Sequence, residues 1–104
     1  MAEHATIGAN LEIKVERNGR QGMYFMPLPD SDPARLTFVE TAPGHITIDY
    51  SWVPPQYRGR GVALKLVKKA VEDARAQGFT ITPLCGYVAS EFRHHPDWAD
   101  VLKR

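Results

Sequence analysis

The first half of the chain alternates apolar and polar residues, which is the pattern of half-buried β-strands. Leu11, Ile13 and Val15 are separated by charged residues, and the dipeptide Asn18-Gly19 follows them. This dipeptide predicts a tight hairpin turn of the type in which both central residues have a positive φ. The partner strand, Met23–Met26, has apolar residues on both faces, so we expect it to lie inside the sheet.

Two further strands are predicted before residue 55. A loop over Pro29–Pro33 precedes a third strand over Ala34–Glu40. The turn Ala42–Gly44 then leads into a fourth strand, which ends at Pro54-Pro55 because proline cannot donate to a ladder. On the fourth strand we expect one face to carry Ile46, Ile48, Tyr50 and Trp52, and the other to carry Thr47, Asp49 and Ser51. The four strands together predict an antiparallel meander.

The spacing of apolar residues changes after residue 60 from that of a strand to that of a helix. One apolar stripe is formed by Ala63, Leu66, Val67, Ala70, Val71 and Ala74. Gly78 suits the end of this helix, and a fifth strand is predicted over Phe79–Leu84, with Pro83 marking a bulge or a strand end. A short helix over Tyr87–His94 follows, and Asp97–Lys103 predicts one or two more helical turns. We therefore predict one α+β domain over residues 1–104.

The composition is that of an ordinary globular domain, with 43% hydrophobic and 24% charged residues. No apolar run reaches the roughly 20 residues that span a bilayer, and Met1–Ala5 lacks the pattern of a secretory signal. A cytoplasmic location is therefore expected. With 13 basic and 12 acidic residues the net charge is only +1, which argues against a nucleic-acid binder. No histidine or cysteine spacing fits zinc, so no metal is expected.

The segment between the fourth strand and the long helix carries the clearest chemical signal. This segment, Gln56–Ala63, places Gly59 and Gly61 just before the helix. Glycine lets the backbone approach a ligand closely, and the first N–H groups of a helix are unpaired and partly positive. Arg58 and Arg60 add positive charge. Together these features predict an anion site suited to a phosphate or a diphosphate.

This turn differs from the Walker loop and from the dinucleotide fingerprint, which need Gly-Lys-Ser/Thr and a third glycine, respectively. The order Gln-x-x-Gly-x-Gly between a fourth strand and a helix instead resembles the coenzyme A loop of the Gcn5-related N-acetyltransferase (GNAT) family. Three other segments resemble its small single-domain branch, sometimes called the YjdJ type. These are Val53–Pro55, Pro83–Val88 and Arg93–Trp98, and the resemblance extends over Leu11–Leu102.

The resemblance implies a GNAT-like fold and an enzyme that transfers an acetyl group from acetyl-CoA to an amine. It implies that the diphosphate is bound by the backbone of Arg58, Gly59, Arg60, Gly61, Val62 and Ala63. The pantetheine arm is expected along the fourth strand near Trp52 and Val53, in the manner of an added strand. Cys85, after the fifth strand, is then expected near the thioester, and Tyr87 is a candidate to protonate the departing thiolate.

The sequence leaves the roles of these two side chains open. Cys85 is the only cysteine, and a lone cysteine after an apolar strand is usually a packing residue. A helix N-terminus, however, stabilises a thiolate, which can attack a thioester or accept a proton from an amine. The acceptor amine either attacks the thioester directly or does so after Cys85 has taken the acyl group. For Tyr87, packing of the ring is the alternative.

Two positions depart from the family pattern. Relatives often carry a histidine where this chain has Tyr50, and a polar or acidic residue near Trp52. Either of those residues could help an amine lose its proton, whereas tyrosine and tryptophan are not good bases at neutral pH. This departure motivates an alternative function, a module that binds CoA or acyl-CoA with little catalytic activity. The identity of the acceptor and the choice between monomer and homodimer are left open.

Overall fold

The computed structural model describes residues 12–103, which form one five-stranded sheet and two α-helices. The strands lie side by side in chain order: β1 (Lys14–Asn18), β2 (Gln21–Met26), β3 (Ala34–Ala42), β4 (His45–Trp52) and β5 (Thr80–Pro83). The first four are antiparallel, and β5 is parallel to β4. Helix α1 (Val62–Gln77) connects β4 to β5, and helix α2 (Gly86–His94) follows β5. This order confirms the predicted α+β architecture; Leu11 lies outside the described residues.

The hairpin between β1 and β2 is shifted by one residue from its predicted turn. Asn18 pairs with Gln21, so the turn residues are Gly19 and Arg20. Only Gly19 has a positive φ, at +65°, so the prediction of two positive φ values is wrong. The prediction of a half-buried first strand is wrong for β1 itself, although Ile13, just before it, is partly buried against the core. Every residue of β1 is exposed, including Val15, because α1 packs on β2, β3 and β5.

A β-bulge interrupts β4 near its middle. Phe38 pairs with Ile48, but the neighbouring residue on β3, Thr37, pairs with Tyr50, so Asp49 is an extra residue. Side chains alternate between the two faces of a strand. One extra residue therefore moves all the following side chains to the opposite faces.

The predicted faces of the fourth strand are correct before the bulge and wrong after it. Ile48 is buried in the core as expected. Beyond the bulge, Ser51 lies opposite the buried Leu36 and takes the core side, whereas Tyr50 and Trp52 lie on the other side of the sheet. We call that side of β2, β3 and β4 the open face. None of its residues is buried: Gln21, Met23, Phe25, Arg35, Thr37, Val39, Thr47, Tyr50 and Trp52.

Helix α1 covers the core side of the sheet. Its buried residues match the predicted stripe, except that Val62 is buried and Ala63 is only half-buried: Val62, Leu66, Val67, Ala70, Val71 and Ala74. The helix ends at Gly78, as predicted, in the left-handed conformation that glycine adopts without strain. The N–H of Gly78 donates to the carbonyl of Ala74 at 2.9 Å.

The C-terminal part differs from the prediction at two points. Strand β5 ends at Pro83, and Leu84 is 68% exposed rather than part of the strand. After α2, a 3-10 helix over Pro96–Trp98 supplies a helical turn, as predicted, but it begins one residue earlier and ends well before Lys103. The chain then runs beside β5, where the N–H of Ile81 donates to the carbonyl of Val101 at 2.8 Å. This contact satisfies backbone groups of Ile81 on the edge of β5 that does not pair with β4.

Candidate active site

The candidate site lies where β4 and β5 separate. Pairing between these two strands ends at Ile48 and Pro83, whereas β4 continues, paired with β3, as far as Trp52. The N–H groups of Leu84 and Cys85 both donate to the carbonyl of Ile48, at 3.0 Å each, and the chain then turns into α2. Within residues 12–103, the last part of β4 therefore has no strand on its β5 side.

A groove with a volume of about 430 Å³ opens at this separation. We call it the splay groove, and it is lined by Ser51, Trp52, Val53, Tyr57, Arg58, Gly59, Gly61, Val62, Ala63 and Tyr87. It thus brings together the end of β4, the turn before α1 and the start of α2. Of the site residues predicted from the sequence, Arg60 and Cys85 are not in its lining.

The turn before α1 is shaped by two glycines in the left-handed conformation. Gly59 and Gly61 have φ values of +78° and +79°, and a Cβ atom built on either would meet nothing within 4 Å. The backbone conformation, not crowding by the protein, therefore requires glycine at both positions. Gly61 is the N-cap of α1, and no side chain caps this end of the helix. The first N–H groups of α1 consequently point out of the helix without a helical partner.

The two arginines of the turn are held differently. The Nε of Arg58 donates to the carbonyl of Val53 at 2.9 Å, which ties the turn to the end of β4. The guanidinium of Arg60 lies 5.7 Å from the ring centre of Tyr57. Tyr57 is buried, and its hydroxyl donates to the carbonyl of Pro29 at 3.0 Å. Both arginines thus place positive charge near the N-terminus of α1. Arg58 also ties the turn to β4 by a hydrogen bond, whereas Arg60 contacts a ring.

Cys85 does not line the splay groove but contacts Ser51, which does. It is the N-cap of α2, it is partly buried, and its Sγ lies 3.2 Å from the Oγ of Ser51. Ser51 was not predicted from the sequence, because regular alternation along β4 placed it on the wrong face. Only the bulge after Ile48 directs Ser51 towards the thiol.

Tyr87 stands at the start of α2 with its ring in the groove lining and 39% of its surface exposed. Partial burial and the nearby carboxylate of Glu91 raise the pKa of Tyr87 to about 12. A phenol with that pKa keeps its proton at neutral pH. Tyr87 therefore carries its proton in the groove at neutral pH, and its hydroxyl is poorly suited to accept another.

Tyr50 and Trp52 take different positions relative to the groove. Trp52 is half-buried and lines it, whereas Tyr50 is 45% exposed on the open face and does not. The guanidinium of Arg35, on β3, lies 4.8 Å from the ring centre of Trp52 and 5.9 Å from that of Tyr50. Sequence analysis did not single out Arg35, since only the pairing of β3 with β4 brings it beside these rings.

The described histidines have structural partners. His45 bonds to the hydroxyls of Thr80 and Thr82, each at 2.8 Å. His94 and His95 each bond through Nδ1 to a backbone carbonyl of α2, at 2.8 Å. Across residues 12–103, no group of three or more His, Cys, Asp or Glu side chains is arranged to hold a metal ion. In the same part of the chain no helix is long and apolar enough to cross a membrane.

The fourth strand of the meander separates from a parallel fifth strand beside a glycine turn that opens a helix, which is the arrangement expected from the GNAT resemblance. Residues 23–101 match the family model described as GCN5-related N-acetyl-transferase. The chain belongs to this family. The match bears on the family as a whole, and the narrower YjdJ-type assignment stays a prediction.

A solved structure supports the same conclusion. The chain is similar to the NMR solution structure of a GCN5-like protein from Staphylococcus aureus to which N-acetyltransferase activity is attributed. The TM-score is 0.71 with 26% sequence identity, and the match covers 91% of this chain and 90% of the other. The GNAT-like fold predicted from the sequence is thereby confirmed. The search of curated proteins gave no match.

Proposed function

We propose that this protein transfers an acetyl group from acetyl-CoA to an amine acceptor in the splay groove. The observation that carries the proposal is the continuity of the groove from the unpaired edge of β4 to the uncapped N-terminus of α1. Such an edge can pair with an amide-bearing arm, and such a terminus can bind a diphosphate. CoA has both groups in one molecule.

The residues of the groove fit this donor. The N–H of Arg58 already donates to the carbonyl of Pro55 at 3.2 Å. The diphosphate would therefore be bound by the N–H groups of Gly59 to Ala63, with the charges of the two arginines beside it. Space for the phosphates is available, because a Cβ atom at Gly59 or Gly61 would meet no protein atom. The pantetheine arm would follow the edge of β4 near Trp52. Since Arg58 already holds the carbonyl of Val53, backbone pairing with the arm would fall to the residues before Val53.

The reaction forms a bond between the acceptor nitrogen and the carbonyl carbon and breaks the carbon–sulfur bond of the thioester. The amine must lose a proton and the departing thiolate must gain one. Tyr87 would donate that proton, because its raised pKa of about 12 keeps the phenol protonated at neutral pH. The groove lining contains no histidine or carboxylate, so we expect the amine to lose its proton to water, to Cys85 or to a group on the acceptor.

Cys85 has two alternative roles in this proposal. It either lines the site while the amine attacks the thioester, or takes the acetyl group first and passes it to the amine. The contact of its Sγ with the Ser51 hydroxyl fits both roles, because a hydroxyl can donate to a thiolate or accept from a thiol. Mass spectrometry after mixing with acetyl-CoA, without an acceptor, separates them: an acetyl adduct lost on Cys85→Ala indicates the covalent route.

The proposed function is tested by binding and turnover together. Titration with CoA should shift the backbone amide resonances of Gly59, Gly61 and Cys85 more than those of the β1–β2 hairpin. Acetyl-CoA with a panel of amines should release thiol faster than it does without an amine. If saturating CoA changes neither the amide spectrum nor the melting temperature, the proposal is wrong. If CoA binds but no amine exceeds background hydrolysis, the protein is the CoA-binding module considered from the sequence.

The partners, the location and the oligomeric state are proposed as the sequence predicts them. The partners are acetyl-CoA and an amine, with a cytoplasmic location. The protein acts as a monomer or a homodimer, which sedimentation at the concentration of the activity assay would decide.

A further inference from the structure

A cation flanked by two aromatic rings borders the splay groove. Arg35 lies against the rings of Trp52 and Tyr50, at the distances given above, and Trp52 also lines the groove. Within residues 12–103, Arg35 forms no ion pair with a carboxylate, in contrast to Arg75, which has Asp100 at 2.9 Å. Its side chain is half-buried, so a planar cation is held near the groove without an anionic partner from the described chain.

The position of this cluster relative to α1 matters for the acceptor. The core side of the sheet carries α1, whose N-terminus we assign to the donor's diphosphate. The bulge in β4 directs Trp52 and Tyr50 to the open face, on the opposite side of the sheet. If acetyl-CoA enters from the α1 side, the amine acceptor can reach the thioester only from the open face. An acceptor at the Trp52 wall would therefore pass beside Arg35.

No carboxylate on the same side of the sheet neutralises Arg35 within the described residues. Lys14 lies in the same cross-strand row, and Glu16 lies in the next row, both on the exposed strand β1. Asp49 is the nearest carboxylate in sequence to the cluster, but it accepts a hydrogen bond from the hydroxyl of Thr37 at 2.6 Å. Neither carboxylate is within ion-pair distance of the Arg35 guanidinium.

We propose that Arg35 binds a carboxylate of the acceptor, so that the acetylated substrate is an amine that also carries a carboxylate, as amino acids and short peptides do. This inference rests on the proposed acetyl transfer and adds the class of acceptor to it. A guanidinium presents paired N–H donors that match the two oxygens of a carboxylate. Cation–π contact with two rings limits its rotation, so the fork is partly oriented before the ligand binds.

The first experiment compares acceptors that differ only in this charge. Thiol release from acetyl-CoA is measured with a panel of amino acids, each beside its C-terminal amide, and with dipeptides beside their amides. We expect kcat/KM to be about 10- to 100-fold higher for the carboxylates, the range of one charge-assisted hydrogen-bonded contact. Preference within the amino acid pairs or within the dipeptide pairs identifies the source of the carboxylate. Turnover of both members of every pair at equal rates overturns the inference and leaves the acetyltransferase proposal intact.

The second experiment measures binding without turnover. N-acetylglycine and N-acetylglycinamide are titrated into CoA-saturated protein, and the tryptophan fluorescence is followed. A change is assigned to Trp52, because the other tryptophan, Trp98, is buried at 4% exposure. The carboxylate should bind in a saturable manner and at least about 10-fold more tightly than the amide. Arg35→Gln should abolish this difference without changing the affinity for CoA. Arg20→Gln removes the same charge in the distant, exposed β1–β2 turn and should bind as the wild type does.

The outcomes separate the two proposals. Equal binding of the two probes, or a difference that survives in Arg35→Gln, overturns the carboxylate subsite even if the protein acetylates amines. Loss of the difference in Arg20→Gln as well would show a general effect of net charge and would also overturn it. Failure to bind CoA at all contradicts the acetyltransferase proposal first.

Discussion

The two ends of α1 carry glycines in the same conformation but differ in capping. We call the C-terminal end the closed end and the N-terminal end the open end. Gly61 and Gly78 both have φ +79°. At the C-terminal end, the N–H groups of Gly78 and Phe79 both donate to the carbonyl of Ala74, so the chain closes its own helix. At the N-terminal end, no side chain caps the helix, and its first N–H groups border the splay groove.

The surroundings of the two ends differ in the same direction. Near the closed end the polar groups are paired with each other. The hydroxyl of Tyr24 donates to Asp73 at 2.9 Å, and Lys69 lies 3.2 Å from the same carboxylate. Near the open end, the side chain of Arg58 makes one hydrogen bond, to the backbone carbonyl of Val53. The closed end therefore contributes stability, whereas the proposed function assigns the open end to a ligand, and the predictions below separate these two contributions.

The largest effect is expected when each of the two glycines is replaced by alanine. An L-residue in the left-handed conformation costs about 1–2 kcal/mol, so Gly61→Ala and Gly78→Ala should lower the free energy of unfolding by similar amounts. Only Gly61→Ala should weaken CoA binding, by about 10-fold or more, because the new methyl group enters the space left for the diphosphate and shifts the N–H groups that bind it. Thermal unfolding measures the first effect and calorimetric titration with CoA measures the second.

The pair of variants contains its own control. Both positions have the same φ, and neither new methyl group meets a protein atom within 4 Å. If Gly78→Ala weakened CoA binding as much as Gly61→Ala, the loss would be due to general destabilisation. The distinction between an open and a closed end of α1 would then have no functional meaning.

The second prediction concerns Tyr87, near the open end. Tyr87→Phe should lower kcat for thiol release by about 10- to 100-fold, because the departing thiolate loses its proton donor, while the affinity for CoA stays nearly unchanged. The wild-type phenol should retain this function well above pH 9, since its pKa is raised to about 12. An unchanged kcat would assign Tyr87 to packing, the alternative left open by the sequence.

The third prediction concerns Tyr24, beside the closed end. Its ring is 3% exposed, and burial together with the bond to Asp73 raises the pKa of Tyr24 above its ordinary value. Tyr24→Phe removes one hydrogen bond and leaves the Asp73 carboxylate with Lys69. We expect a loss of about 0.5–1.5 kcal/mol in the free energy of unfolding and no change in CoA affinity. A change in CoA affinity in this variant would mean that the two ends of α1 are energetically coupled.

The order and type of the elements could be predicted from the sequence, because they depend on local periodicity. The stripe of α1 and the strands β2 to β4 follow from residues within a few positions of one another. The bulge at Asp49 could not be predicted in this way. It appears only when β4 is aligned with β3, and the alternation of Ile46 to Trp52 looked regular without that alignment.

The same reason explains which parts of the site were missed. The glycine turn and Cys85 are recognisable as short motifs, so the sequence indicated them. The contact between Ser51 and Cys85 joins residues 34 positions apart, and the contact of Arg35 with Trp52 depends on a pair in the β3–β4 register. Such contacts are set by the sheet as a whole, and one sequence without a structure does not contain their register.

The smallest predicted effect lies at the closed end, in the pair of Arg75 and Asp100. The hydrogen bond from Arg75 lowers the pKa of Asp100 below its ordinary value of 3.8. A carboxyl group with a lowered pKa stabilises the fold above its unfolded-state pKa, and this contribution is lost as the pH falls through the folded-state pKa. Both side chains are exposed, so solvent screening keeps the contribution small. Asp100→Asn should therefore melt slightly below the wild type at pH 7 and together with it in acid, with CoA affinity unchanged. High salt at pH 7 should reduce the difference, and a deficit that persisted in acid would have to come from another contact of Asp100.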